Sequence, residues 1–354
     1  MAYQFADGFD NYGNAYTLTS GYPWDTVSGS MNTTTADVRF APPGSLPGGS
    51  AQNSSGGAAY LLKNLSSNQG TLVVGFGVKT TNLPSSPTDI MHFSDAGTTQ
   101  LTLAMTSTGG LQFYRGNLAT AIGTLAPNNT ITAGAWYGLA MQVVIAGGTA
   151  GSVQLYVNGN ATPIINNTGL NTSADGNAFA NQVAIGLINT NGQGIVKYDD
   201  FYCFDTTSGF LNSLLSGDAR ILTKMPASAG NYTNWTPTGL TNNWQNAAVT
   251  PPSTADYNAN NVSTTKDSYT TQSASLAVAP YFVVARASLE RDDAGTHNPS
   301  IFLRSSSTDS AGVVTPTLTS SYIFYDAVFQ NDPATSSAWT GPGADNAQVG
   351  VIEG

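Results

Sequence analysis

"VKYDDFYCFD", residues 196–205, sets Asp199 and Asp200 side by side among four aromatic rings. Aromatic and β-branched residues without helical spacing predict a strand here. On a regular strand, neighbouring side chains point to opposite faces. One carboxylate is then expected among the rings or at a rim, and the other outward. Placed so, the pair shares neither a proton nor a substrate bond. The role expected of it is to hold a strand end through carboxylate-to-backbone hydrogen bonds.

The surrounding sequence has the same texture. Short apolar or alternating runs recur at 70–80, 89–95, 99–107, 110–116, 135–146, 151–160 and 181–188. They are separated by turn-forming pieces such as "AGTT", "STGG", "AGGTAG" and "NTNGQG". Helical periodicity is nearly absent, so the first half reads as an antiparallel two-sheet sandwich or jelly roll. After Asp205 the rhythm changes. One short helical turn or a loop is expected around Phe210–Leu215, then a strand at 219–226, then a Gly/Asn/Thr/Pro-rich stretch to 265. Further strands are expected at 275–290, 299–306, 320–330 and 346–353. The expected organisation is a β-sandwich over 1–205 and a smaller β-rich domain over 206–354, which serves assembly or interaction.

Composition narrows the function. Only 9% of the 354 residues are charged, against about 25% in an average soluble protein. The surface is polar mainly through hydroxyls and amides. With 40% hydrophobic and 10% aromatic residues a core is still supplied. The net charge of −10 reflects scarce Lys and Arg. No basic stripe exists, which argues against nucleic acid and against anionic membranes as partners. Cys203 is the single cysteine, so no intrachain disulfide is expected. It reads as a small buried hydrophobe. The opening "MAYQFADGFDNYG" lacks the basic and apolar regions of a signal peptide. The expectation is a chain made in a bacterial host cytoplasm that nevertheless has the texture of an extracellular β-protein, which proteins of lysis-released virions combine.

Several stretches taken in order, "DGFDNYG", "AGAWYGLAMQVVI", "GSVQLYVNG", "ANQVAIG" and "YDDFYCFD", resemble the concanavalin A-like, laminin G-like jelly roll. "GDARILTKMP", "NWTPTG", "ARASLERDDAG" and "NDPATSSAWTGPGADNAQVGV" are similar to segments that follow such domains in tailed-phage virion proteins. The resemblance implies a structural virion protein and supplies no catalytic residues. It also makes Asp199 and Asp200 weak calcium candidates, because laminin G-like folds sometimes hold calcium at a rim and Asp oxygens suit that ion; no other cofactor is expected.

Chemistry finds few supports. Glutamate occurs only at Glu290 and Glu353, whereas glycoside hydrolysis needs two suitably spaced carboxyls. "LERDD" at 289–293 reads as a solvated turn. No nucleophile elbow or phosphate loop is present. His92 and His297 lie far apart in sequence without a recognisable third partner, and two histidines with one cysteine make no zinc set. The expectation is therefore a non-enzymatic component of a bacteriophage particle. A capsid decoration or cement protein, homo-oligomeric and bound to other virion proteins, is the first reading. The alternative is a tail-fibre or receptor-binding protein that recognises host glycans. Trp136 reads as a core anchor. Tyr22, Trp24, Trp235, Trp244 and Trp339 stand as candidates for interface or glycan contacts, the usual work of exposed rings.

Overall fold

In the computed structural model the residues described are 3–20, 23–40, 46, 48–53, 57–189, 192, 194–207, 209, 211–215 and 217–354. The chain is all-β, with two five-residue α-helices, Asn243–Ala247 and Gly341–Asp345. It separates into two compact units. The first comprises 1–9, 14–39 and 49–221, and the second 10–13, 40–48 and 222–354. The sequence reading put the break after Asp205.

The first unit is an antiparallel jelly-roll sandwich. Its eight-stranded sheet runs Ile165–Leu170, Gly151–Val157, Tyr137–Val144, Thr71–Thr80, Val196–Asp205, Ser50–Asn53, Met31–Thr34, with Tyr3–Asp7 also paired to Val196–Asp205. The seven-stranded sheet runs Thr120–Ile122, Leu111–Arg115, Thr98–Met105, Thr88–Asp95, Ala180–Leu187, Ala59–Gln69, Thr26–Ser28. Pleating sorts the strands into faces. Leu72, Val74, Phe76 and Val78 are buried, as are Met141, Val143 and Leu155 beside them in the sheet. From the other sheet, Phe93, Leu101, Leu103, Phe113, Val183 and Ile185 are fully buried. The expected "AGTT" hairpin turns through Ala96 and Gly97, both at positive φ (45° and 90°). A two-residue reversal matched to strand twist needs that backbone shape.

The second unit is also built of antiparallel strands. Its main sheet runs Pro226–Thr233, Lys266–Thr271, Gln348–Ile352, Ser300–Ser305, Thr308–Asp309, and Val313–Val314 pairs with Ser300–Ser305 as well. A separate ribbon joins Val283–Leu289 to Ile323–Phe329. Ala285, Ala327 and Phe329 of that ribbon form a core with Ile301, Leu303 and Trp339.

Two local expectations are corrected. Residues 221–225 are not a strand, and pairing begins at Pro226. Of the run 275–290, only Val283–Leu289 is a strand. Phe210 lies outside the described residues, and of the two alternatives for Leu211–Leu215 the structure has the loop.

Candidate functional site

The strand Val196–Asp205 is not regular where the two aspartates sit. Its pairing with Thr71–Thr80 slips between Asp199, opposite Gly77, and Tyr202, opposite Gly75. Two residues, Asp200 and Phe201, thus face one, which is a β-bulge. Asp200 takes φ 52°, a left-handed shape that aspartate tolerates better than most residues. The expectation of splayed carboxylates is corrected. Both are buried, and both close on Arg39.

Asp199 Oδ2 accepts from the Arg39 backbone N–H at 3.0 Å. Asp200 Oδ2 accepts from Arg39 Nη1 at 3.1 Å, and its Oδ1 accepts from the Ile221 N–H at 2.7 Å. Asp199 Oδ1 accepts from the Asp200 N–H at 2.8 Å. Arg39 Nη2 donates to Asp218. The Arg39 side chain is only 3% exposed. Three glycines make room for this group. A Cβ on Gly77 or Gly138 would collide with Arg39, and one on Gly75 with the Tyr202 ring. Glycine inside a strand marks such close approaches.

A second cluster shares that face of the sheet. Lys79 and Lys197 lie directly opposite each other on neighbouring strands. Like charges in that position repel, and Asp37 offsets the repulsion. Its Oδ1 accepts from Lys79 Nζ at 2.9 Å and from Trp136 Nε1 at 3.2 Å, and its Oδ2 from Lys197 Nζ at 2.7 Å. Burial works against the Asp37 charge, but the two ammonium groups outweigh it and hold the carboxyl below its usual range. Trp136, expected as a core anchor, is half-buried and serves as a donor at this cluster.

The guanidinium thus gives Asp200 and Asp218 a counter-charge, while Asp199 is met by the Arg39 backbone N–H. Among the described residues no three His, Cys, Asp or Glu side chains are gathered to hold a metal ion.

Burial pushes the Asp200 carboxyl up to about 6, against the pull of Arg39 and of the Ile221 N–H, with the Asp218 charge adding to the rise. The unfolded chain keeps the ordinary value of 3.8. As the pH falls through about 6, the folded state takes up a proton that the unfolded chain does not bind. This group's contribution to stability therefore increases on acidification and is complete below about 4. The expected result is that wild type gains stability relative to Asp200→Asn between pH 7 and pH 5, measured by denaturant midpoints. A difference that does not change with pH would contradict the assignment.

His92 is buried, meets the Tyr60 ring edge-on at 5.7 Å, and its Nδ1 has no hydrogen-bond partner among the described residues. Burial lowers its pKa to about 4, so it stays neutral. Cys203 is fully buried, and burial pushes its thiol up, away from the reactive thiolate. His297 sits between two carboxylates. Its Nδ1 lies 2.9 Å from Glu353 Oε1 and its Nε2 3.0 Å from Asp293 Oδ1. Those two contacts, Glu353 first, raise its pKa.

The tryptophans divide. Trp24 is wholly buried, packed by Phe5 and Phe201 at 4.9 and 5.0 Å, and its Nε1 donates to Asp7 Oδ2 at 2.9 Å. Trp339 is 2% exposed and donates to the Phe329 carbonyl at 2.9 Å. Their candidacy as surface contacts is corrected, because both rings fill cores. Tyr22 lies outside the described residues. Trp235 is half-buried with its indole nitrogen shielded and without a partner among the described residues. Trp244 is half-buried and lines an open cleft of about 490 Å³ in the second unit, with Met225, Pro226, Ala227, Thr250 and Gln272. Sequence reasoning named Trp244 but not the strand that completes the cleft.

Fold and faces define the first unit as an antiparallel β-sandwich of the jelly-roll type. Neither a protein-family model nor a curated protein sequence matches the chain. Solved structures with a similar fold include the alginate lyase Aly36B, at 14% identity and TM-score 0.38, covering 56% of this chain and 96% of that one. The cellulose-induced protein Cip1 follows at 15% identity and TM-score 0.39, with 62% and 99% covered. A Trypanosoma rangeli sialidase is similar at 12% identity and TM-score 0.34, over 53% of this chain but 29% of its own. Likeness at this distance speaks for the fold alone. The expectation of a chain without enzymatic activity is nevertheless corrected: the neighbours include a lyase and a sialidase. One premise of that expectation, the splayed aspartates, has failed as well.

Proposed function

We propose that the chain is a structural component of a bacteriophage particle, a capsid decoration or cement protein or another virion-surface part, and that it attaches through its second unit. The observation that supports this reading is the placement of exposed apolar side chains. Nine large hydrophobic residues are exposed among the described ones, and all but Leu125 belong to the second unit. Val278 is 78% exposed, Val314 64% and Val262 56%, with Tyr281 at 49%. Scattered single apolar residues need no explanation, but concentration on one unit points to a surface that is covered in use. The low charge and neutral polar surface suit close packing against neighbouring virion proteins, because few charges have to be desolvated on contact.

No described helix is long and apolar enough to cross a membrane. The reading also agrees with the resemblance of the second-half motifs to tailed-phage virion proteins.

The test is incorporation. Val278→Asp together with Val314→Asp leaves both cores untouched, since both side chains are exposed. The doubly substituted chain is expected to fold but to be depleted from purified particles. Incorporation at the wild-type level would count against attachment through this surface.

A further inference from the structure

The cleft beside Trp244 has the features of a ligand site that the assembly role does not use. Its volume of about 490 Å³ falls in the range of small-molecule sites, which are largely apolar with a few placed polar groups. Met225, Pro226, Ala227 and the Trp244 ring give the apolar part, and the Thr250 hydroxyl and the Gln272 amide give the polar part. The carbonyl of Gln272 accepts from the Met225 N–H at 3.2 Å, which orients the amide.

The platform is fixed before any ligand arrives. Trp244 sits on the helix Asn243–Ala247, and the asparagines beside it tie that helix to its surroundings. Asn243 Nδ2 donates to the Trp235 carbonyl at 2.8 Å and to Asp267 Oδ2 at 2.7 Å. Asn246 Nδ2 donates to the carbonyls of Thr238 and Tyr257 at 3.0 and 2.8 Å. A short helix held in this way carries Trp244 on a fixed backbone, so little backbone freedom is lost on binding.

The chemistry of the lining selects the ligand. No Asp, Glu, Lys, Arg or His is among the described residues that line the cleft. A charged ligand would be desolvated there without a counter-charge, which is costly. A pyranose ring carries an apolar C–H face and a rim of hydroxyls. The first matches a half-buried indole, and the second matches a hydroxyl and an amide placed at the side. We propose that the Trp244 cleft binds a single neutral pyranose, as a terminal or branch sugar of a glycan. This site stands on the geometry of the second unit and is independent of the chain's place in a particle.

The experiment titrates the full chain with the methyl glycosides of glucose, galactose and mannose and with N-acetylglucosamine. Glucuronate and a proline-rich peptide serve as comparators. Tryptophan fluorescence and the indole N–H resonances report binding. Saturable binding of at least one neutral sugar is expected, weakened about tenfold or more by Trp244→Ala. Ala227→Arg, on an exposed strand position, crowds the cleft without touching a core and is expected to weaken binding equally. If Trp244→Ala fails to fold by circular dichroism, Ala227→Arg alone decides. The proposal is overturned if no neutral sugar saturates, if the folded variants bind like wild type, or if glucuronate or the peptide binds more tightly.

Discussion

Arg39→Ala is expected to destabilise the first unit by about 3–5 kcal/mol, the usual cost of removing one partner from a buried ion cluster. The substitution removes the guanidinium that Asp200 and Asp218 share and leaves a trough beside Gly77 and Gly138; the backbone N–H that donates to Asp199 remains. It also releases the segment that ends at Ile221, whose N–H is held by Asp200. Arg39→Lys keeps the charge but loses the planar fork that spans Asp200 and Asp218. An intermediate loss is expected. Hydrogen exchange at Ile221 and the denaturant midpoint of the first unit measure both effects. Wild-type values for Arg39→Ala would mean that the carboxylates do not depend on this guanidinium.

The second large effect is expected at Trp24. Its ring is wholly enclosed, with Phe5 edge-on to it and Phe9 parallel to it at 6.1 Å. Trp24→Ala empties that site and should cost about 3–5 kcal/mol. Trp24→Phe refills most of the volume but leaves Asp7 Oδ2 without its indole donor. A loss of about 1–3 kcal/mol is expected for that variant, because a buried hydrogen bond to a charged group is removed. Thermal melts of the two variants give the comparison. Equal melting temperatures for wild type and Trp24→Ala would place the ring outside the core.

Much of the sandwich was legible because its strands carry apolar or alternating runs. Thr71–Thr80, Thr88–Asp95, Tyr137–Val144 and Gly151–Val157 were read within a few residues of their ends. Ala59–Gln69 was not, because "KNLSSNQ" is polar along an edge of the pattern and offers no clean alternation. In the second unit, Lys266–Thr271 went unread for the same reason: "KDSYTT" buries Asp267 and Ser268 through hydrogen bonds and not through apolarity.

The ionic cluster was only half legible. The aspartates drew notice, but the bulge that turns both towards one partner leaves no mark in "YDDFY". Arg39 lies about 160 residues from them in a stretch without pattern. The signal that was available is the pair of glycines in "VVGFGVK", since glycine in a strand interior announces a close neighbour. The tryptophans failed differently. Trp24 in "YPWDT" and Trp339 in "AWTGPG" stand in turn-rich sequence, where burial is supplied by distant segments. Trp244, in equally polar surroundings, stays half-exposed.

The proposed role, a built part of a phage particle, requires a fixed copy number in purified virions. Quantitative mass spectrometry of purified particles tests it most directly. The prediction is a constant, multi-copy ratio of this chain to the coat protein, retained after high-salt washing because the contacts are mainly uncharged. Absence from washed particles, or a trace amount that varies between preparations, would contradict it.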